Sequence, residues 1–198
     1  MSRGRHYAAD ETVLPEGTRR VLVHVCCAPC SGGMIERALE EGVRLTLAFI
    51  NPNIHPREEY DRRRAEVVRF AASRGVPLVE VPYDPATWFA AVRGHEDAPE
   101  GGERCRLCMA LRLRESARVA VGEGCDALAT SLGVSRRKKR ELVNACGREA
   151  VASFPGLRFW ARDWRKQGGE ELSRRVALRE GFYRQTFCGC VFSHKKRR

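Results

Sequence analysis

With 198 residues, 43% of them hydrophobic, the chain is long enough for one domain with a proper core and too apolar to be disordered. No apolar stretch approaches the roughly 18–20 residues that span a bilayer, and Met1 to Thr18 lacks the apolar core of a secretory signal. The expected location is therefore the cytoplasm, where nine cysteines in a chain of net charge +11 point to metal binding, redox chemistry or burial rather than disulfides.

Residues 1–18 read as a flexible tail, 19–193 as a single α/β domain, and 194–198 as a basic C-terminal tail. The apolar, β-branched run Val21 to Cys26 predicts a buried parallel strand. Met34 to Glu41 predicts a helix closed by Gly42, and Leu45 to Ile50 a second strand. The Asn/Pro chemistry of Asn51 to Pro56 marks a loop. Glu58 to Arg74 carries apolar residues at helical spacing, with Gly75 as its stop. Then come a strand over Leu78 to Val81, a short helix over Pro85 to Val92, a loop over Ala98 to Gly102 and a helix over Arg104 to Val121. A fourth strand is expected over Ala127 to Ser131, a helix over Lys139 to Ala152, a fifth strand over Leu157 to Ala161 and a helix over Glu170 to Arg179. Strands alternating with helices imply a parallel sheet with right-handed crossovers, whose ligands sit at the carboxyl ends of the strands.

The charge is uneven. Residues 131–198 hold 18 Lys/Arg against 6 Asp/Glu, while residues 1–130 are close to neutral. The densest runs are Arg136 to Arg140 and Lys195 to Arg198. A polyanion is the natural partner for such a basic third, with affinity that falls as salt rises.

Seven of the nine cysteines form three tight groups: Cys26, Cys27 and Cys30; Cys105 and Cys108; Cys188 and Cys190. Within each group the thiolates are near enough to reach one inorganic centre, and Cys105 and Cys108 share a helical face. One zinc takes four ligands, so seven exceed it, and all-sulfur ligation suits an iron–sulfur cluster. Two zinc ions remain an alternative on spacing alone. Cys125 and Cys146 stand apart in apolar or helical surroundings and read as buried small hydrophobes. Ser31-Gly32-Gly33 is similar to the phosphate-cradling loop of ATP-dependent tRNA-modifying enzymes. Ile35 and Glu36 follow it, where such loops continue with an acid and a serine, so the plainer reading is a small-residue turn into a helix.

Taken together, HVCCAPCS (24–31), NPNIHPREEYDRR (51–63), YDP (83–85), EGGERCRLCMALRL (100–113), SLGVS (131–135) and GFYRQTFCGCVFS (181–193) resemble the epoxyqueuosine reductase QueH family over nearly the whole chain. The resemblance implies a three-layer parallel-sheet domain related to HUP and pyrophosphatase-loop folds. It implies a cysteine-rich metal site at the carboxyl ends of the strands and reduction of epoxyqueuosine to queuosine at the tRNA wobble position. It also implies a 4Fe-4S cluster with an additional iron ion, held by Cys26, Cys27, Cys30, Cys105, Cys108, Cys188 and Cys190. The expected partners are tRNA carrying epoxyqueuosine and an unidentified electron donor, with no membrane. Tyr183, Arg184 and Gln185, just before Cys188, are the candidate catalytic residues. Lys138, Lys139, Arg140, Lys195, Lys196 and Arg197 are the candidate tRNA contacts. Trp88, Trp160 and Trp164 are candidates to stack on anticodon bases, although core or interface packing is the default for tryptophan. His24 in its apolar strand reads as a satisfied core histidine. After Ser135 many relatives carry Pro, a variable residue, Lys and Asn, whereas here Arg136, Arg137, Lys138 and Lys139 follow. The rival readings are an ATP-dependent iron–sulfur tRNA thiolase and a non-catalytic, zinc-bound nucleic-acid-binding module.

Overall fold

Four consecutive buried residues, Val21–His24, form β1, and the strands on both sides of it are buried throughout. In a computed structural model that describes residues 13–194, β1 pairs in parallel with β2 (Leu45–Phe49) and β4 (Ala127–Thr130). β3 (Leu78–Glu80) extends the sheet beyond β2, and β5 (Arg158–Phe159) beyond β4. The order is β3-β2-β1-β4-β5, so the winding direction reverses between β1 and β4. Their carboxyl ends open there into the crevice where such sheets bind ligands.

Alternate residues of β1 face opposite layers. Val21 and Val23 join Phe70, Val176 and Trp160 in one core, while Leu22 joins Leu113, Val143 and Phe159 in the other. The first layer holds α1 (Ala28–Glu40), α2 (Arg57–Ser73) and α6 (Gly169–Arg179). The second holds α4 (Glu103–Gly122) and α5 (Arg140–Ala152). α3 (Pro85–Val92) packs on α4, and a one-turn α7 (Val191–His194) follows the last cysteine. The three-layer parallel α/β architecture is the expected one.

Most boundaries match the sequence reading to within one or two residues, and three segments differ more. α1 starts at Ala28, six residues before the predicted Met34. Cys27 is its extended N-cap residue, and Pro29 sits in the first turn, where a missing N–H costs nothing. Gly32 and Gly33 are therefore inside a helix rather than in a turn. A Cβ on Gly33 would meet Ser173 backbone atoms at 2.7 Å, so these residues are small because α6 crosses there. With the glycines buried against α6, no open phosphate-cradling loop exists at this place in the sequence. β5 shrinks to two residues. Residues 13–18, assigned above to a tail, lie against the domain: Leu14 packs on the core, and Arg158 donates to the Glu16 carbonyl. Positions 1–12 and 195–198 lie outside the described residues.

Among the described residues, no helix is long and apolar enough to cross a membrane.

Candidate metal centre

The crevice between β1 and β4 is lined by sulfur. The thiols of Cys26, Cys27 and Cys30 all lie within 4.8 Å of one another where β1 passes into α1. Ser131, just after β4, fixes their position. It accepts from the Cys26 N–H at 3.0 Å and donates its hydroxyl to Cys26 Sγ at 3.2 Å. The pairing of β1 with β4 is what brings residues 26 and 131 together.

Cys105 and Cys108 stand one turn apart at the start of α4, where the Gly101 N–H donates to Cys105 Sγ at 3.3 Å. Cys188 and Cys190 come from the segment that follows α6. Gly189 between them has φ +97°, and a Cβ there would lie 2.8 Å from Ile54 Cγ1. Its carbonyl accepts the His55 N–H at 2.8 Å, so only glycine lets this turn dock on the Asn51–Pro56 loop.

Two adjoining cavities result. One, of about 210 Å³, is lined by Cys26, Cys27, Cys30 and Cys188. The other, of about 40 Å³, is lined by Cys105, Cys108, Cys188 and Cys190. Cys188, Arg112, Arg137 and Lys138 line both. All seven cysteines singled out in the sequence thus converge on one end of the sheet. Cys125 and Cys146 lie in the core instead, their thiols pushed up to about 11 by burial.

Each of two groups concentrates negative charge on one sulfur. Hydrogen bonds from the Cys27 and Cys30 thiols hold Cys26 well below the ordinary thiol range, and the same bonds raise its two neighbours, Cys27 to about 12. Cys190 donates to Cys188 and, with help from the Lys138 charge, brings it down to about 4. Burial raises Cys105.

The larger cavity has a cationic wall of Arg63, Arg112, Arg137, Lys138 and Arg184, and no acid among the described residues lining it. Arg63 and Arg112 are buried. Arg63 pairs with Glu59 at 2.5 Å and donates to the Phe187 carbonyl, tying α2 to the segment before Cys188. Arg112 donates to the Ile50 carbonyl at 3.2 Å and to Asn51 Oδ1, and Asn51 donates in turn to the Val25 carbonyl at 2.9 Å. Sequence reasoning missed Arg63, Arg112, Asn51 and Ser131. The signal for Arg112 was its spacing of one and two turns from Cys108 and Cys105 on one helical face.

Arg184 and Gln185 line the larger cavity. Gln185 Nε2 donates to Cys27 Sγ at 2.7 Å, and its Oε1 is buried without a partner among the described residues. Tyr183 does not line it. Its N–H donates to Glu66, its hydroxyl to Glu59, and Arg62 covers its ring at 3.5 Å, so it faces α2. In the basic run, Lys138 lines both cavities and Lys139 the smaller one. Arg140 turns away to Asp163 at 3.1 Å, and Arg136 pairs with Glu170 at 2.5 Å. Lys195, Lys196 and Arg197 lie outside the described residues. Trp88, Trp160 and Trp164 are all buried, which removes them as base-stacking surfaces. His24 is satisfied: its ring nitrogens lie 2.9 Å from Thr130 Oγ1 and 3.1 Å from the Ile50 carbonyl, and burial lowers it to about 3. Asp84 caps α3 through the Thr87 N–H.

The sequence model of the family described as epoxyqueuosine reductase QueH matches residues 21–196. The chain belongs to this family. An epoxyqueuosine reductase QueH from Acinetobacter baylyi is 41% identical over 180 residues, 91% of this chain and 83% of the relative. Its counterpart from Haemophilus influenzae is 39% identical over 187 residues, 94% and 76% of the two chains. The one from Thermotoga maritima is 33% identical over 181 residues, 90% and 92%. Among solved structures, the U34-tRNA thiolase NcsA from Methanococcus maripaludis with its 4Fe-4S cluster shares the fold. The TM-score is 0.57 at 16% identity, covering 88% of this chain and 61% of the thiolase, less than two thirds of its length.

The donor set of this QueH family member suits a soft metal centre. Seven thiols converge, three of them mutually within 4.8 Å, and two carry depressed pKa values beside cationic side chains. Thiolate ligands of this kind select iron–sulfur clusters or zinc over hard cations.

Proposed function

We propose that this chain reduces epoxyqueuosine to queuosine at the wobble position of tRNA, in the cytoplasm, with a 4Fe-4S cluster and an additional iron held by Cys26, Cys27, Cys30, Cys105, Cys108, Cys188 and Cys190. The observation that carries the reading is the group of three thiols on a cavity with a cationic wall, at the switch point of the sheet, in a chain of this family. The net change cleaves the epoxide C–O bonds, forms a cyclopentene double bond and releases the oxygen as water. It consumes two electrons, from an unidentified donor, and two protons. When bound, the cluster supplies single electrons and the additional iron a Lewis acid.

The protein's own residues do the rest. Lys138, Lys139 and Arg184 attract the phosphates of the anticodon loop, together with Lys195, Lys196 and Arg197, while Arg140 supports the base of the run through Asp163. An unpaired loop base is cheap to extrude into the cavity. Gln185, fixed by its bond to Cys27, offers its free Oε1 to a hydroxyl or ammonium of the substrate. Arg184 faces the same space as a donor. Tyr183 holds this segment on α2 and acts as a positioning residue. ATP has no part in this reaction, which agrees with the burial of Gly32 and Gly33 against α6.

The test is anaerobic incubation of iron-loaded protein with epoxyqueuosine-containing tRNA and a reductant, followed by nucleoside mass spectrometry. Queuosine is expected without ATP. Unchanged epoxyqueuosine with a full iron and sulfide complement overturns the proposal, and zinc alone after anaerobic purification favours the binding-module reading.

A further inference from the structure

We propose that Arg104 and Trp88 line the iron centre from its buried side and set its reduction potential through N–H···S hydrogen bonds and charge. Both side chains line the smaller cavity with Cys105, Cys108, Cys188 and Cys190. Arg104 is 1% exposed and Trp88 0%. Trp88 Nε1 and Arg104 Nε and Nη2 are buried with no hydrogen-bond partner among the described residues. Only Nη1 of Arg104 is satisfied, by the carbonyls of Glu96 and Ala98 at 2.6 Å. The guanidinium lies over the Phe192 ring at 5.5 Å, and that ring stacks on Trp88 at 5.9 Å. No carboxylate pairs with Arg104 among the described residues.

This arrangement is expensive as it stands. Each orphaned buried donor carries its full desolvation cost, and an uncompensated buried charge costs more still. Three such donors and a positive charge on one wall call for an anionic acceptor on the other. Water fits a cavity of about 40 Å³ and accepts hydrogen bonds, but it does not balance charge. Thiolates and the sulfides they hold do both. N–H···S bonds and a nearby cation stabilise the reduced, more negative state of an iron–sulfur centre, which raises its potential. The inference rests on the reading of these cysteines as ligands of such a centre.

The experiment measures iron, sulfide and the midpoint potential of the anaerobically loaded full chain as wild type, Trp88→Phe, Arg104→Gln and Arg104→Lys. Full loading is expected in all four. In Trp88→Phe and Arg104→Gln the reduced-to-oxidised ratio at fixed poise should fall about tenfold, about 59 mV for one electron. Arg104→Lys keeps the charge and should recover part of the loss. Fully loaded variants with unmoved or raised potentials overturn the inference alone. Wild type that takes up no iron and sulfide overturns the reading beneath it, and the inference with it. If the variants do not fold, the wild-type protein carries the test. Deuterium-exchangeable protons strongly coupled to the reduced cluster, detected by electron–nuclear double resonance, support the inference, and their absence overturns it.

Discussion

The side-chain amide of Gln185 donates to the Cys27 thiol across 2.7 Å, joining the C-terminal segment to the turn after β1. A leucine at this position keeps the volume and removes both the bond and the free Oε1. Gln185→Leu should retain iron and lower kcat/KM for queuosine formation about 10–100-fold, which corresponds to about 1.4–2.7 kcal/mol of lost transition-state binding. Steady-state kinetics beside an iron assay check this. An unchanged kcat/KM would remove Gln185 from the site.

The Gly189 turn is the second point of attachment. Gly189→Ala places a Cβ against Ile54 in a backbone conformation that costs L residues about 1–2 kcal/mol before the clash is counted. The expected result is reduced iron occupancy after reconstitution and a lower Tm. Gly101→Ala makes the comparison, because it is equally left-handed but meets nothing within 4 Å. It should keep the iron and lose only the backbone strain energy.

The cysteines divide by position. Alanine at Cys26, Cys27, Cys188 or Cys190 should abolish activity and disturb iron binding. Cys146→Ala, deep in the core beside Val143, should bind iron normally and lose only packing stability, about 1–2 kcal/mol in a denaturant titration. Normal iron in the first set, or iron loss in Cys146→Ala, would contradict the assignment.

Lys138 faces both cavities, whereas Arg136 and Arg140 are engaged with acids. Lys138→Ala should weaken tRNA binding and reduce the slope of log K against log salt by about one unit. Arg136→Ala should change that slope less. Filter binding across a salt series distinguishes them.

His24 gives a pH signature. Its unfolded imidazole takes a proton near 6.5 and the folded one only near 3. Below pH 6.5 the unfolded chain therefore binds more protons, so this contribution is complete above 6.5 and is lost as pH falls toward 3. The loss is up to about 1.4 kcal/mol per pH unit. His24→Gln should flatten the pH dependence of the denaturant midpoint between 6.5 and 5, and an unaltered slope would refute this.

The strands were legible because β-branched and apolar residues run unbroken at Val21–His24 and Ala127–Thr130, as burial on both faces demands. The short helix around Pro85 to Val92 was legible, since Asp84 and Pro85 are start signals. α1 was misread at its start because Cys-Ala-Pro-Cys-Ser-Gly-Gly has the small-residue chemistry of a turn. Its helicity depends on α6, which arrives from residues 169–179 and rewards the glycines with close approach. The cysteine groups announced themselves by spacing. Arg63 and Arg112 did not, because a buried arginine has the same letter as a solvated one and this chain has many. Tyr183 was placed at the site by adjacency alone. What turns Tyr183 away is its bonds to Glu66 and Glu59 and the Arg62 guanidinium over its ring, partners on α2 that nothing in the local sequence marks.

The three cysteine groups lie far apart in the chain, from residue 30 to 105 and from 108 to 188. An inorganic centre shared among them is a cross-link that closes two long loops. By analogy with a disulfide over loops of such length, each closure removes about 4 kcal/mol of chain entropy from the unfolded state. The redox group is then also a staple. Stripping the iron should loosen the turn carrying Cys188 and Cys190, whose hold on the Asn51–Pro56 loop, among the described residues, is one backbone hydrogen bond and a glycine-sized gap.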